Sequence, residues 1–314
     1  MDMKYTPEPC DVRDLFSNED PNEVWAKASK IIHAMAPEFD LPVVQNTYND
    51  VISMFHGSYP GYQPIQTPYH DLGHTLNVFL CAVRLMHGEH VSGTRLSEKE
   101  MGLVMLAALM HDIGYAKKLD DMVGTGAQYT RIHVDRGVDF MQHYVADHRF
   151  PAGWLLPLEC MIRSTDHMKD FSQVPFPDAR TRLLGQIVGT ADLVGQMADQ
   201  TYLEKLLFLY FEFKEAHLGN YRDTQELLRK TRLFYEVIRH KLDGELEASY
   251  AKLAFHFKQS LGVDRNYYLE SIERNLSYLE QASSMDKQEE SLAMLRRCGI
   301  VERARVMAMS ETLT

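Results

Sequence analysis

The chain has 314 residues, 45% of them hydrophobic, and a formal net charge of −11. That is enough apolar material for one large domain or two small ones, and the acidic balance excludes a nucleic-acid backbone as the main partner, since such binding runs on Lys and Arg. A small anionic substrate stays open, because bound cations can supply positive charge locally. Residues 1–20 are polar and acidic, with Pro7 and Pro9, and predict a flexible arm without the apolar stretch of a signal peptide. From Asn22 the periodicity turns helical: over 24–35, Val24, Ala28, Ile31, Ile32 and Met35 share one side. Gly57, Pro60, Gly61, Pro64 and Pro68 then punctuate a loop. A helix follows from Leu72 to Met86. Ser97 and Glu100 predict a capping box ahead of the apolar run MGLVMLAALM (101–110), which is too short to span a bilayer. Further helices are expected near 128–147, 153–167, 178–217, 221–258, 264–283 and 286–308. VPFP (174–177) and the surroundings of Pro151 read as turns, and strand patterns of useful length are absent. The fold expectation is an all-α, compact multi-helix domain over 21–314 behind the arm. The charged stretch MDKQEE (285–290) is expected to pack on a partner or on the back of the domain. Cys10, Cys81, Cys160 and Cys298 are scattered, with no CxxC pair, which points to a reduced, cytoplasmic setting.

Several polar residues stand out against this helical background. In TPYHDLGH (67–74), His70 and His74 are four apart and so share a helix face. Such a pair can bind metal, divide into acid and ligand, or simply sit at the surface. In LAALMHDIGYAKK, His111 and Asp112 follow an apolar run, where burying an ionisable pair is costly without pairing or coordination. A carboxylate beside an imidazole suits a divalent metal; a satisfied helix-end pair is the plainer reading. Asp192 lies inside the apolar stretch GQIVGTADLVGQMAD, among small residues that let another helix approach. Asp is a poor helix-interior residue, so a ligand and a buried hydrogen-bonding group are both open. Asp199 reads as a solvated or capping acid, and Lys117 and Lys118 read as solvated.

Taken in order, His74, His111-Asp112 and Asp192 resemble the pattern of the HD superfamily of metal-dependent phosphohydrolases. PYHDLGHTLNV further resembles the signature of class I cyclic-nucleotide phosphodiesterases, with Asp71 in place of their Asn. ECMIRSTDHMKDF resembles their Ala-Thr-Asp segment, with Ser164, Thr165 and Asp166 in its place, and 180–213 resembles the segment around their last metal Asp. The likeness spans roughly 65–215. It implies His70 as general acid, and His74, His111, Asp112 and Asp192 as metal ligands, Asp112 bridging. His133 falls where these enzymes keep a His facing the metal centre; an indirect or substrate contact, direct ligation and a surface His are its readings. Tyr115 stands where they place another His. His143, His148, His167 and His240 match no role and read as surface residues.

The resemblance implies two divalent ions, Zn or Fe at the first site and Mg or Mn at the second, and hydrolysis of 3′,5′-cyclic nucleotides (cAMP, cGMP or both) to 5′-monophosphates. Such ions neutralise a phosphodiester and acidify water, and a His titrating near neutrality suits the leaving oxygen. For the base, the family's Gln and Phe have no counterpart at the right place; Asp264, Tyr267 and Tyr268 are the candidates. The expected partner is a small cyclic nucleotide, not nucleic acid or membrane, and a homodimer is allowed. A nucleotidase or other phosphohydrolase, a non-catalytic HD sensing module and a di-iron oxygenase are the alternatives.

Overall fold

The computed structural model describes residues 15–16, 20–40, 42–285, 295 and 299–311. Among them are twelve α-helices: α1 (Pro21–Met35), α2 (Pro42–His56), α3 (Leu72–Val91), α4 (Glu98–Met110), α5 (His133–Asp147), α6 (Leu155–Arg163), α7 (Ala179–Met197), α8 (Tyr202–Glu215), α9 (Thr224–His240), α10 (Lys252–Leu261), α11 (Tyr267–Ser283) and α12 (Ile300–Glu311). No strand occurs among the described residues; an isolated antiparallel bridge pairs Tyr62 with Lys118. The chain is all-α, as the periodicity predicts.

The centre of the fold is α3, buried on every side from His74 to Glu89. A helix without a polar face must be enclosed, and α3 packs against α1, α4, α7 and α10. Helix α4 is likewise buried from Met101 to Met110. Its start is set by the predicted capping box: Glu100 N donates to Ser97 Oγ at 3.3 Å, and Ser97 N donates to Glu100 Oε2 at 2.7 Å. The third enclosed helix is α7. These three carry the residues that drew attention in the sequence.

The structure differs from the sequence expectations at several points. The helix expected over 178–217 is two, broken where Asp199 Oδ1 accepts from Thr201 N and Oγ1, each at 2.8 Å, a local bond that competes with the helix ladder. The one expected over 221–258 is interrupted by a π-turn at Lys241–Glu245 and by Ala248, whose φ of 51° is left-handed. The one expected to reach 167 ends as α6 at Arg163. Helix α2 lies outside the helices expected from the sequence, although Val44, Tyr48, Val51 and Phe55 recur at helical spacing and are buried. The arm is docked where it is described. Leu15 and Phe16 are buried, Arg84 donates to Leu15 O at 3.1 Å, and Phe16 meets Tyr268 edge-on at 4.8 Å. Residues 286–290 of the charged stretch lie outside the described residues, as do Cys10 and Cys298; Cys81 and Cys160 are buried and free. Among the described residues, no helix is long and apolar enough to cross a membrane.

Candidate metal centre

Two helix ends and the interior of α7 bring the cluster together. Asp71 caps α3, accepting from His74 N at 2.8 Å, and so fixes His74 in the first turn. Where α4 stops, His111 is its C-cap and Asp112 (φ −105°, ψ 6°) leads into a short 3₁₀ turn, Ile113–Tyr115. Gly114 in that turn is a contact point: a Cβ there would lie 1.8 Å from His133 O. Its absence lets the start of α5 settle against the His-Asp pair. Gly189 does the same for α7, where a Cβ would lie 2.8 Å from Ser164 O. That close approach brings the segment after α6, including His167, to Asp192.

The donor atoms converge. His74 Nε2 lies 3.1 Å from His111 Nε2, 3.2 Å from Asp112 Oδ2 and 3.3 Å from Asp192 Oδ1. His111 Nε2 lies 3.2 Å from Asp112 Oδ2 and 3.7 Å from Asp192 Oδ1. All four residues are buried. Ligands bonded to one ion at about 2.0–2.2 Å stand roughly 3 Å apart, the spacing found here. The sharpest sign of fit is Asp112 Oδ2, a buried oxygen with no hydrogen-bond partner although two ring nitrogens stand beside it. His111 Nδ1 is 2.8 Å from Ala108 O, which holds the proton on Nδ1 and turns the Nε2 lone pair toward the cluster. Lone pairs facing a bare carboxylate oxygen repel unless a cation lies among them. The buried His74–His111–Asp112 group can hold a metal ion.

The outer carboxylate oxygens face two more histidines. Asp112 Oδ1 is 3.6 Å from His133 Nε2, and Asp192 Oδ2 is 2.8 Å from His167 Nε2. His133 Nδ1 is committed to Thr130 O at 2.7 Å. Burial tends to raise both carboxyl pKa values, but the surrounding histidines win: His111 and His70 hold Asp112 well below the usual range, and His167 and His74 hold Asp192 below it. Both stay ionised. Conversely, burial disfavours charge on His74, yet the two carboxylates raise its pKa to about 10. The cluster calls for positive charge, and His133, lowered chiefly by burial, stays neutral.

Beside the cluster stands His70. Its Nδ1 is 2.6 Å from Glu212 Oε2 on α8, and Glu212 Oε1 also accepts from Tyr69 N at 2.7 Å and His70 N at 3.3 Å. Burial lowers the His70 pKa, but Glu212 and Asp112 outweigh it and the net shift is upward. Tyr115 stacks between His70 and His133, with centroids 4.7 and 4.6 Å away. Lys205 Nζ lies 3.1 Å from Asp199 Oδ2 and 3.5 Å from Asp71 Oδ1, tying α8 to the base of the cluster. A cavity of about 350 Å³ opens from Asp112 and Asp192, and His70, Tyr115, His133 and Thr165 are among its walls.

His70, His74, His111, Asp112, His133, Thr165, Asp166 and Asp192 are therefore gathered in one place. His167 is corrected from surface residue to Asp192 partner. Glu212 was not singled out, although an acid inside the apolar-aromatic run LFLYFEF carries the same signal as Asp192. Asp199 is neither solvated nor a helix cap: it is buried between α7 and α8, bonded to Thr201 and Lys205, and Lys117 is buried rather than solvated, its Nζ donating to Gly124 O at 2.6 Å. Asp264, Tyr267 and Tyr268 do not line this cavity. Asp264 pairs with Lys258 at 3.0 Å, Tyr267 packs on Phe257, and Tyr268 is buried with its hydroxyl 2.7 Å from Arg84. Their apolar rings serve the contact of α11 with α10 and α3.

Fold and site together define an all-α protein with a buried His/Asp cluster, able to hold a metal ion, at the head of a cavity. By sequence the chain belongs to the Npun_R2479-like family, whose model matches residues 44–262. The match takes in the whole cluster, His70 and Glu212. No curated protein matches the chain.

Proposed function

We propose that this chain is a metal-dependent phosphohydrolase. The observation that carries the reading is the convergence of His74, His111, Asp112 and Asp192 next to a histidine, His70, that a buried carboxylate keeps ready to hold a proton. His74, His111, Asp112 and Asp192 would hold a first ion, for which imidazole ligation suits Zn or Fe. The outer oxygens of the two carboxylates, with His133 and His167, would hold a second. Bound divalent ions supply charge neutralisation at a phosphoryl group and acidification of water.

The chain's own residues do the rest. Glu212 fixes the His70 ring through Nδ1, which leaves Nε2 for the cavity side. As a P–O bond to water forms and the ester P–O bond breaks, the leaving oxygen takes its proton from His70, and the proton the water gives up is released to solvent, from which His70 regains its own. Tyr115 and His133 brace that ring by stacking. The cluster's burial keeps bulk water from screening these charges.

The cyclic-nucleotide form of this reading needs a base contact, and Asp264, Tyr267 and Tyr268 are elsewhere. The phosphohydrolase reading does not depend on them. Its test is metal analysis of the purified protein followed by assay of phosphomonoesters, phosphodiesters and cyclic nucleotides. Bound cations lost in Asp112→Ala, together with ester turnover, are the expected result. Bound cations with no ester turned over would sink the reading; iron with oxygen consumption would move it to the di-iron oxygenase.

A further inference from the structure

The cavity changes chemistry along its length. Against the cluster its walls are polar. The wall given by α8, α9 and the turn between them is apolar, built from Leu206, Leu209, Phe213, Leu218, Leu227 and Phe234. The polar groups on this wall are few: Thr231 Oγ1 donates to Leu227 O of its own helix at 2.9 Å, Lys230 is 2.9 Å from Glu226 and 5.0 Å over the Tyr221 ring, and the phenols of Tyr202 and Tyr221 complete the set. The side-chain amide in the lining, Gln196, sits one turn after Asp192, on the cluster side. Among the described residues, then, the α8–α9 wall offers no amide or carboxylate to read a base edge or a sugar hydroxyl.

A base has several edge donors and acceptors, more than the lone hydroxyls there could replace once water is lost, whereas an alkyl or aryl group gains by burial. The mouth agrees. Phe234 and Met168 line the cavity yet remain 52% and 71% exposed, so apolar surface runs from the interior to solvent.

We infer that the substrate is a phosphoric ester of an apolar alcohol or phenol, its phosphoryl head at the cluster and its alkyl or aryl group against α8 and α9. This rests on the phosphohydrolase reading. In the reaction the phosphorus exchanges its bond to the ester oxygen for one to the oxygen of water; the apolar alcohol leaves with the proton from His70, and the proton given up by the water passes to solvent, from which His70 is reprotonated.

Binding and turnover are tested separately on the full, metal-loaded chain. Alkylphosphonates from methyl to octyl, whose C–P bond is not hydrolysed, are titrated by calorimetry. Affinity should rise about threefold to fourfold per methylene until the cavity is filled. Leu209→Asn, and Phe234→Ser at the exposed rim, should flatten that slope while leaving methylphosphonate affinity unchanged. A flat series for the wild type overturns the inference. In the second arm, octyl and phenyl phosphates are compared with cAMP and cGMP by kcat/KM. Faster turnover of the nucleotides would overturn the apolar class and leave the phosphohydrolase standing. A rising phosphonate series with no ester hydrolysed would overturn the ester, and the hydrolytic reading with it.

Discussion

At the scale of single residues, the informative feature is the division of labour between His70 and its neighbours. Glu212 holds the ring and raises its pKa against the opposing effect of burial. Glu212→Gln keeps an acceptor for the Tyr69 amide but removes the charge. The rate limb that requires protonated His70 should then move to lower pH, with metal content unchanged; a pH–rate profile with metal analysis checks this. His70→Ala should keep the first metal and lose about 10²–10⁴-fold in rate on an alkyl ester. The loss should be far smaller on a nitrophenyl ester, whose leaving group needs no proton. Equal loss on both would remove the acid role. His167→Ala separates the two ion positions: it should spare the tightly held ion and weaken a second one, read by titration with Mn²⁺. His74 was marked in the sequence by its spacing from His70, whereas His111, Asp112 and Asp192 were legible because each is a polar residue in or at the end of an apolar run, a placement that must be compensated. Glu212 carried the same mark. His167 did not, since a histidine in the polar stretch STDHMKD looks the same whether it faces solvent or a carboxylate 25 positions further on.

Helices and their ends fix the precision of the site. Gly114 and Gly189 allow backbones to meet where a methyl group would collide. Gly114→Ala would put a Cβ 1.8 Å from His133 O and must push α5 away from the His-Asp pair. Overpacking of this kind typically costs about 1–3 kcal/mol. We expect a lower Tm, together with weakened binding of the second ion even in protein that remains folded. Loss of stability with ion binding intact would mean that Gly114 serves packing alone. At this scale the sequence showed where helices begin better than where they stop. The Ser97–Glu100 box is local and readable. The breaks at Asp199 and at Lys241–Glu245 sit inside runs of good helical pattern, where side-chain bonds and packing decide. The base-binding candidates failed for a related reason: periodicity says that Tyr267 and Tyr268 lie on a helix, but not which neighbour they meet.

For the molecule as a whole, two pairs far from the cluster contribute to the response to acid. His256 is buried against His87 (Nδ1 to Nδ1, 3.1 Å), and burial, with Arg84 and His87 nearby, pushes its pKa down to about 2. The unfolded chain therefore binds a proton that the folded one refuses, and stability present above about pH 6.5 falls away below it. Glu100 acts in a lower window. Burial opposes it, but Arg180 at 2.5 Å and the Ser97 bonds bring its pKa to about 2, so its contribution is full above about pH 4.5 and is lost as pH falls toward 2. Thermal unfolding followed from pH 7 to 3 should show both windows, with His256→Gln making the upper one shallower and Glu100→Gln the lower one. Neither change should alter metal content at pH 7. The assembly of the cluster from three separate helices also has a meaning for descent. One added residue turns a helix by about 100° and advances it by about 1.5 Å. An insertion within α4 would swing His111 and Asp112 out of reach of His74 and Asp192 at a stroke, whereas one in the loop before α3 would leave all four in phase. A lineage carrying this chemistry can vary its residues and stretch its loops, but the lengths of α3, α4 and α7 behave like a reading frame.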